Sequence, residues 1–193
     1  MDLRRYLKIV KEEEIARRYF VMNSFDGALT ILGIVIAVYI SGERNTTLII
    51  ISSLGAAIAM AVSGIWGAYS IERAERQRSL RELEMHLLSD LDETEIERKV
   101  NITTILVALV DGFSPLLVSI VTITPFLAVQ IGLLALETAF YLSLSLIALV
   151  LIVLGAMVGK IAKESMIKSG LSMLFAGICV GVIVCLLDLL KVL

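Results

Sequence analysis

This chain has few of the residues that enzymes and ordinary metal sites require. It contains one histidine, His86, and two cysteines, Cys179 and Cys185, which lie six residues apart with no CxxC motif. A metal site built from histidine and cysteine is therefore not expected. A P-loop, an HExxH motif and a nucleophile elbow are also missing from the sequence, so we do not expect an enzyme. Both cysteines fall in one apolar segment on different helical faces, and we expect them to be buried thiols.

Charge is also scarce. Charged residues make up 19% of the 193 residues, hydrophobic residues make up 58%, and the mean hydropathy is +0.92. The charges crowd into residues 1–18, 70–99 and 160–168, and long apolar runs separate these clusters. No basic patch stands clear of neighbouring acids, so binding to nucleic acid is not expected. Residues 1–18 are charged and do not resemble a cleavable signal peptide.

Five apolar stretches predict five transmembrane helices, at residues 19–40, 47–69, 100–124, 129–158 and 169–190. Each reaches the roughly 20 residues that a helix needs to cross a bilayer. Pro125 is expected to mark the break between the third and fourth helices. The predicted fold is an all-α integral membrane bundle. It comprises an amphipathic helix (1–18), helices 1 and 2 (19–69), an acidic helical loop (70–99) and helices 3 to 5 (100–193).

The lysines and arginines predict the orientation. Residues 1–18 carry six of them, residues 70–99 six and residues 160–168 three, whereas residues 41–46 and 191–193 carry one each. With five spans, fifteen fall on one side and two on the other. Because cytoplasmic loops are enriched in lysine and arginine, the N-terminus is predicted to be cytoplasmic and the C-terminus outside, in a multi-pass protein of the cell membrane.

Three acidic residues fall inside the apolar stretches: Asp26, Asp111 and Glu137. A carboxylate near the bilayer centre costs about 2.5–3.5 kcal/mol even on lenient insertion scales. An ion site or a proton relay would explain that cost. The alternative is a protonated carboxyl group that is hydrogen-bonded to a neighbour and serves packing.

Methionine sulfur lies near one of these acids. Met22 is one helical turn before Asp26 and shares its face, and Met60 lies in the second span. A thioether beside a carboxylate suits a borderline transition metal better than calcium or magnesium. The alternative is that both methionines only fill space.

The loop at residues 70–99 holds nine of the nineteen acids. Its candidate metal ligands at helical spacing are Glu72, Glu75, Glu82 and His86. The alternative is a solvated helix on which Glu72 with Arg76, and Arg78 with Glu82, form ordinary i,i+4 pairs.

Four short motifs, in order along the chain, resemble the vacuolar iron transporter family, which includes the yeast calcium-sensitive cross-complementer. Asp26-Gly-Ala-Leu-Thr30 is similar to the family's first-helix DGxxT signature. The run from Gly55 to Met60-Ala61 resembles its small-residue segment ending in Met-Ala. Gly112-Phe-Ser-Pro115-Leu-Leu117 resembles the segment with Gly followed by Pro-Leu-Leu in its third helix, and residues 159–177 resemble its connection between helices four and five.

The resemblance implies a divergent prokaryotic member with no resident cofactor. It implies a homodimer that exports Fe²⁺ or Mn²⁺ from the cytoplasm in exchange for protons. It places Asp26 and Met60 on the translocation path and makes Glu72, Glu75 and Glu82 cytoplasmic metal ligands. The segment after Met60-Ala61 has no acid where the family has Gly-Glu-Tyr, whereas Asp111 is additional.

Two functions therefore remain open. In the first, metal passes Asp26, Met22, Met60, Asp111 and Glu137, and protons are the counter-ion. In the second, the protein is a non-transporting membrane metal sensor or an assembly subunit that retains the fold.

Overall fold

The computed structural model describes the backbone of residues 3–87 and 95–190. Within these ranges it describes all side chains except those of residues 3–12, 80, 83, 84, 86, 87 and 95–100. The elements are α1 (Leu3–Ile40), α2 (Thr46–Leu87), α3 (Glu95–Gln130), α4 (Leu136–Ala162) and α5 (Met166–Leu189), and no strand occurs in the described ranges. Each helix contains a stretch long and apolar enough to cross a membrane. The predicted all-α fold with five spanning helices is confirmed, and the chain is a multi-pass membrane protein.

The two ends of the bundle differ in charge. One end holds the start of α1 and the connection between α4 and α5, and these two segments carry five exposed cations among the described side chains. We call it the basic end; these cations are Arg17, Arg18, Lys160, Lys163 and Lys168. The other, the far end, holds the connections α1–α2 and α3–α4. There Gln130 donates a hydrogen bond to Thr47 at 3.2 Å, which joins α3 to α2.

The expected helix break at Pro125 is wrong. Helix α3 runs through Pro115 and Pro125 to Gln130, and the connection to α4 follows at residues 131–135. A proline removes one backbone hydrogen bond, but a membrane helix that is packed on its neighbours accommodates this loss. Phe126, directly after Pro125, is fully buried. The chain turns instead at Gly132, whose φ of 76° favours glycine, so α4 begins at Leu136 and not near residue 129.

Helices α1 to α3 are much longer than a bilayer requires. The 42 residues of α2 correspond to about 63 Å, against about 30 Å of hydrocarbon. Helix α1 shows no break at the predicted boundary between residues 18 and 19. The part of the predicted loop at residues 70–99 that lies between the end of α2 at Leu87 and the start of α3 at Glu95 is outside the described residues.

Helix α1 lies at the centre of the bundle and contacts all four other helices, and α3 packs on α1, α2 and α4. The buried core between them includes Ile31, Ile123 and Phe126. The rings of Phe126 and Phe140, the latter on α4, meet edge to face at 5.1 Å. The site described below lies on the same α1–α3 contact, nearer to the basic end.

Helix α5 is peripheral and packs on α4 and α1. Its buried residues are Gly170 and Gly177. Cys179 and Cys185 are free and exposed on its surface, so the expectation of buried thiols is wrong. A helix at the edge of a bundle exposes most of its apolar side chains to lipid, and these two thiols lie among them.

Candidate functional site

A group of polar side chains lies at and beside the contacts between α1, α2 and α3, inside the apolar stretches. Helix α1 contributes Tyr19, Asn23 and Asp26, whose spacing of four and three residues places them on neighbouring turns of one side of the helix. Helix α3 contributes Asp111 and α2 contributes Glu72, and both carboxylates are buried. These residues, which we call the polar cluster, are Tyr19, Asn23, Asp26, Glu72 and Asp111.

Asp111 is held in place by α1. The side-chain amide of Asn23 donates one hydrogen bond to Oδ1 of Asp111 and another to the backbone oxygen of Tyr19 at 3.2 Å. On the opposite side α2 leaves room for the carboxylate, because a Cβ atom at Gly64 would lie 3.0 Å from Oδ2 of Asp111. The absence of a side chain at Gly64 therefore lets α3 bring its carboxylate against α2.

The helix around Asp111 has a further unusual feature. Pro115 lies four residues later within the same helix and carries no N–H group. The backbone oxygen of Asp111 therefore lacks its usual intrahelical hydrogen bond. Both the carboxylate and this carbonyl oxygen are hard ligands of the kind that cations prefer.

Asp26 lies close to the midpoint of the apolar stretch Glu13–Ile40, and it is exposed on the surface of the single chain. Thr30, one turn further along α1, connects Asp26 to α2. Its hydroxyl oxygen lies 2.8 Å from the backbone oxygen of Asp26 and 3.6 Å from Sδ of Met60. The two residues that the resemblance assigns to the translocation path are therefore near each other.

The two aspartates lie on α1 and α3, which pack directly on each other. Met22, one turn before Asp26, is about half exposed on the same helix. The carboxylates of Asp26 and Asp111 and the thioether of Met60 thus lie on three adjoining helices, α1, α3 and α2. Such a set provides oxygen and sulfur ligands for a divalent transition-metal ion.

Glu72 has a different environment from the one expected of a loop residue. It lies inside the apolar stretch Thr46–Ser79 and is 5% exposed. The hydroxyl of Tyr19 donates a hydrogen bond to its Oε1 at 3.3 Å, and Nε of Arg76 pairs with its Oε2 at 3.3 Å. The buried charge of Glu72 is therefore balanced by an arginine on the next turn, which lowers its availability as a metal ligand.

The other predicted ligands of this segment lie apart from the polar cluster. Glu75 and Glu82 are exposed, and Glu82 pairs with Arg78 at 3.1 Å. Both i,i+4 pairs named as the alternative are thus present. The side chain of His86 lies outside those described. Among the described residues, no three side chains of histidine, cysteine, aspartate or glutamate form a group that could hold a metal ion.

Glu137 lies at the far end, away from the polar cluster. It is exposed in the first turn of α4 and pairs with Arg44 of the α1–α2 connection at 3.0 Å. Together with Tyr39 and Phe140 this pair lines a pocket of about 330 Å³. The structure gives Glu137 a surface ion pair as its immediate partner, and its predicted place on a path remains a prediction.

Sequence reasoning missed Asn23 and Tyr19. The signal was present, because Asn23 is an amide within an apolar run and lies three residues before Asp26. Its role nevertheless depends on Asp111, 88 residues away. One sequence without its fold does not link two such positions.

Comparison with known proteins identifies a relative of this chain. The chain is 33% identical over 173 residues to the uncharacterized protein MJ0645 of Methanocaldococcus jannaschii, and the alignment covers 88% of this chain and 87% of that protein. No protein-family model matches the chain. No solved structure matches it either.

Proposed function

We propose that the chain, which belongs to the same family as MJ0645 of Methanocaldococcus jannaschii, exports Fe²⁺ or Mn²⁺ from the cytoplasm across the cell membrane in exchange for protons. The basic end would face the cytoplasm, in keeping with the distribution of lysine and arginine. The proposal depends on the polar cluster and on the resemblance to the vacuolar iron transporters. No resident cofactor is required, because the metal ion is the substrate.

One observation carries this proposal: Asp26 is exposed on the outer surface of a spanning helix, close to the midpoint of its apolar stretch. A carboxylate that faced hydrocarbon at this depth would cost at least about 2.5–3.5 kcal/mol. Intramembrane carboxylates are instead found facing protein or a water-filled cavity. We therefore infer that a second copy of the chain covers this side of α1, and that the ion path runs between the two subunits.

The ligand set supports a transition metal as the substrate. The sulfur of Met60 lies beside the turn of α1 that carries Asp26 and Thr30, and a thioether contributes little to binding of calcium or magnesium. Asp111 would take the position of the carboxylate that the second span lacks. Carboxylates that bind either a proton or a metal ion would link the release of one to the uptake of the other.

The exposed acids of α2 would serve a separate step. Glu75 and Glu82 lie near the basic end and would raise the local concentration of cations. Glu72 is buried together with its partner Arg76, whereas the ion pair of Glu82 with Arg78 is exposed to solvent and therefore weak. We therefore assign the first contact with the ion to Glu75 and Glu82, and not to Glu72.

The test is metal flux into proteoliposomes that contain the purified chain, with Fe²⁺, Mn²⁺ and Co²⁺ as substrates. Asp26→Asn should lower flux by about tenfold or more, since one charge-assisted contact is worth about 1.5–3 kcal/mol. Asp188→Asn is the matched control, because Asp188 is exposed in the last turn of α5. Unchanged flux in Asp26→Asn would refute the proposed path.

A second candidate function is a membrane metal sensor or assembly subunit that does not transport. It is favoured by the segment after Met60-Ala61, which has no acid where the resembled transporters carry a carboxylate. Metal binding by the purified chain without any flux would support this second function.

A further inference from the structure

A second feature lies at the basic end, on the side of α1 that faces α4 and α5. There the three helices enclose an open groove of about 800 Å³. Its walls come from α1 between Glu14 and Phe25, from α4 at Val158 and Ile161, and from α5 at Met173. Met22, a candidate residue of the metal path, also lines the groove, whereas no residue of the polar cluster does.

The groove changes in character along its length. At the outer end it is lined by Glu14, Arg17 and Arg18, and from Val21 inward its lining side chains are apolar. Arg17 and Arg18 are exposed, and no carboxylate among the described residues forms an ion pair with either. A groove with cations at one end and an apolar floor matches a molecule with an anionic head and a hydrocarbon tail.

The depth of the two arginines agrees with this interpretation. The apolar stretch of α1 begins at Glu13, so Arg17 and Arg18 lie within about 8 Å of its start along the helix axis. This is the depth at which the headgroups of a bilayer meet its hydrocarbon. Lysine and arginine at such positions are attracted to anionic lipids.

The apolar floor continues towards the middle of the membrane. A second groove of about 570 Å³ follows between the same three helices, and Leu174, the residue after Met173, lines it. On α1 the lining passes from Phe25 to Leu32, two turns further along. The apolar surface is therefore long enough to take an acyl chain that starts at the arginines.

The surrounding charges also favour an anion. Lys160, Lys163 and Lys168 are exposed on and beside the connection between α4 and α5. The described acids in this region are Glu13, Glu14 and Glu164. Five cations thus face three acids, and the balance at the mouth of the groove is positive.

We propose that this groove binds one anionic phospholipid, with its phosphate group at Arg17 and Arg18 and an acyl chain along Phe25, Val158 and Met173. The zwitterionic phospholipids of the same membrane would bind less well, because their headgroups carry no net charge for the arginines to attract. This proposal does not depend on metal transport, and either proposal can be correct without the other.

The experiment measures lipid binding to the purified full-length chain by native mass spectrometry. Phosphatidylglycerol and phosphatidylcholine with identical acyl chains are offered in equal amounts. The wild type should prefer phosphatidylglycerol. Arg17→Gln combined with Arg18→Gln should reduce this preference by about 30-fold, since each arginine near the surface is worth about 1 kcal/mol.

Two matched variants separate charge from folding. Arg17→Lys with Arg18→Lys retains both charges and should retain the preference. Arg78→Gln with Arg81→Gln removes two exposed charges from α2, outside the groove, and should also leave it unchanged. An unaltered preference in the Arg17 and Arg18 glutamine variant would overturn the proposal, as would equal binding of the two lipids to the wild type.

Two further outcomes would assign the groove to another occupant. Cross-linking between two chains at Met173→Cys, in a background without Cys179 and Cys185, would show that a second copy fills it. Inorganic phosphate that binds as well as the lipid would show that the acyl chain contributes nothing. Either result would overturn the proposal.

Discussion

Replacement of Gly112 by alanine tests the contact that brings α3 against α2 beside Asp111. An added Cβ atom would lie 2.5 Å from the backbone oxygen of Ala61 and would also meet the side chain of Ile65. Ordinary contact begins near 3.4 Å, and because the nearest wall includes backbone, the two helices would have to separate by about 1 Å. Such overpacking costs about 1–3 kcal/mol. Alanine in place of a helical glycine returns up to about 1 kcal/mol.

Gly67→Ala is the matched control, because Gly67 lies in α2 and no atom comes within 4 Å of its added Cβ. The gain in helix propensity is the same in both variants, so their difference isolates the overpacking. A difference of about 1–3 kcal/mol corresponds to roughly 2–12 °C in melting temperature for a chain of this size. The melting temperature of each variant is measured by heating the protein in detergent and recording by size-exclusion chromatography how much of it remains monodisperse. Equal melting temperatures would refute the close approach of α2 and α3.

Three further predictions concern contacts elsewhere in the bundle. Asn23→Leu removes the amide that holds buried Asp111, so it should cost about 1–3 kcal/mol in the wild type and less in an Asp111→Leu background, as measured by a double-mutant cycle on thermal stability. Gly155→Ala should destabilise the chain more than Gly33→Ala. The added Cβ at Gly155 would lie 2.6 Å from the Cα atom of Gly170 on α5, whereas no atom lies within 4 Å of an added Cβ at Gly33. Equal melting temperatures of these two variants would contradict the packing of α4 on α5. Glu137→Gln should change stability by less than about 1 kcal/mol, because its ion pair with Arg44 is exposed, and a loss of flux in this variant would support the predicted place of Glu137 on the path.

The number of spans could be predicted because the bilayer imposes it. A helix that crosses hydrocarbon needs about 20 apolar residues, and five such runs are visible in the sequence. The helix ends could not be predicted in the same way. Pro125 is a helix breaker in water, yet burial of Phe126 and packing of α3 against α1 and α4 hold the helix together beyond it.

Burial inside the bundle was harder to predict, because a spanning helix is apolar on every side. Cys179 and Cys185 lie in a segment as hydrophobic as the other spans. They are exposed because α5 lies at the edge of the bundle, a position that the sequence does not indicate. Glu72 shows the opposite error. Its place in a charged segment predicted exposure to solvent. Glu72 is instead buried, with a hydrogen bond from Tyr19 and an ion pair with Arg76.

The polar cluster could be predicted only in part for a similar reason. Asp26 and Asp111 stand out in the sequence because acids are costly in hydrocarbon. Asn23 does not stand out in the same way, since an amide costs less and its significance comes from a partner 88 residues away. The sequence thus identifies the carboxylates that are costly to place in the membrane, and the fold identifies the side chains that stabilise them.

The repeated Asp-Gly pairs give a physical reason for the position of both aspartates. Phe25-Asp26-Gly27 in α1 is similar to Val110-Asp111-Gly112 in α3, and each glycine lies at a close approach of its helix to another. A Cβ at Gly27 would lie 2.9 Å from the Cα atom of Pro115 on α3, and one at Gly112 would meet Ala61 on α2. Because each carboxylate precedes such a glycine, the close approach brings it to an interhelical contact. The contact of α1 on α3 and the contact of α3 on α2 therefore each carry an aspartate directly beside the glycine that makes the close approach possible.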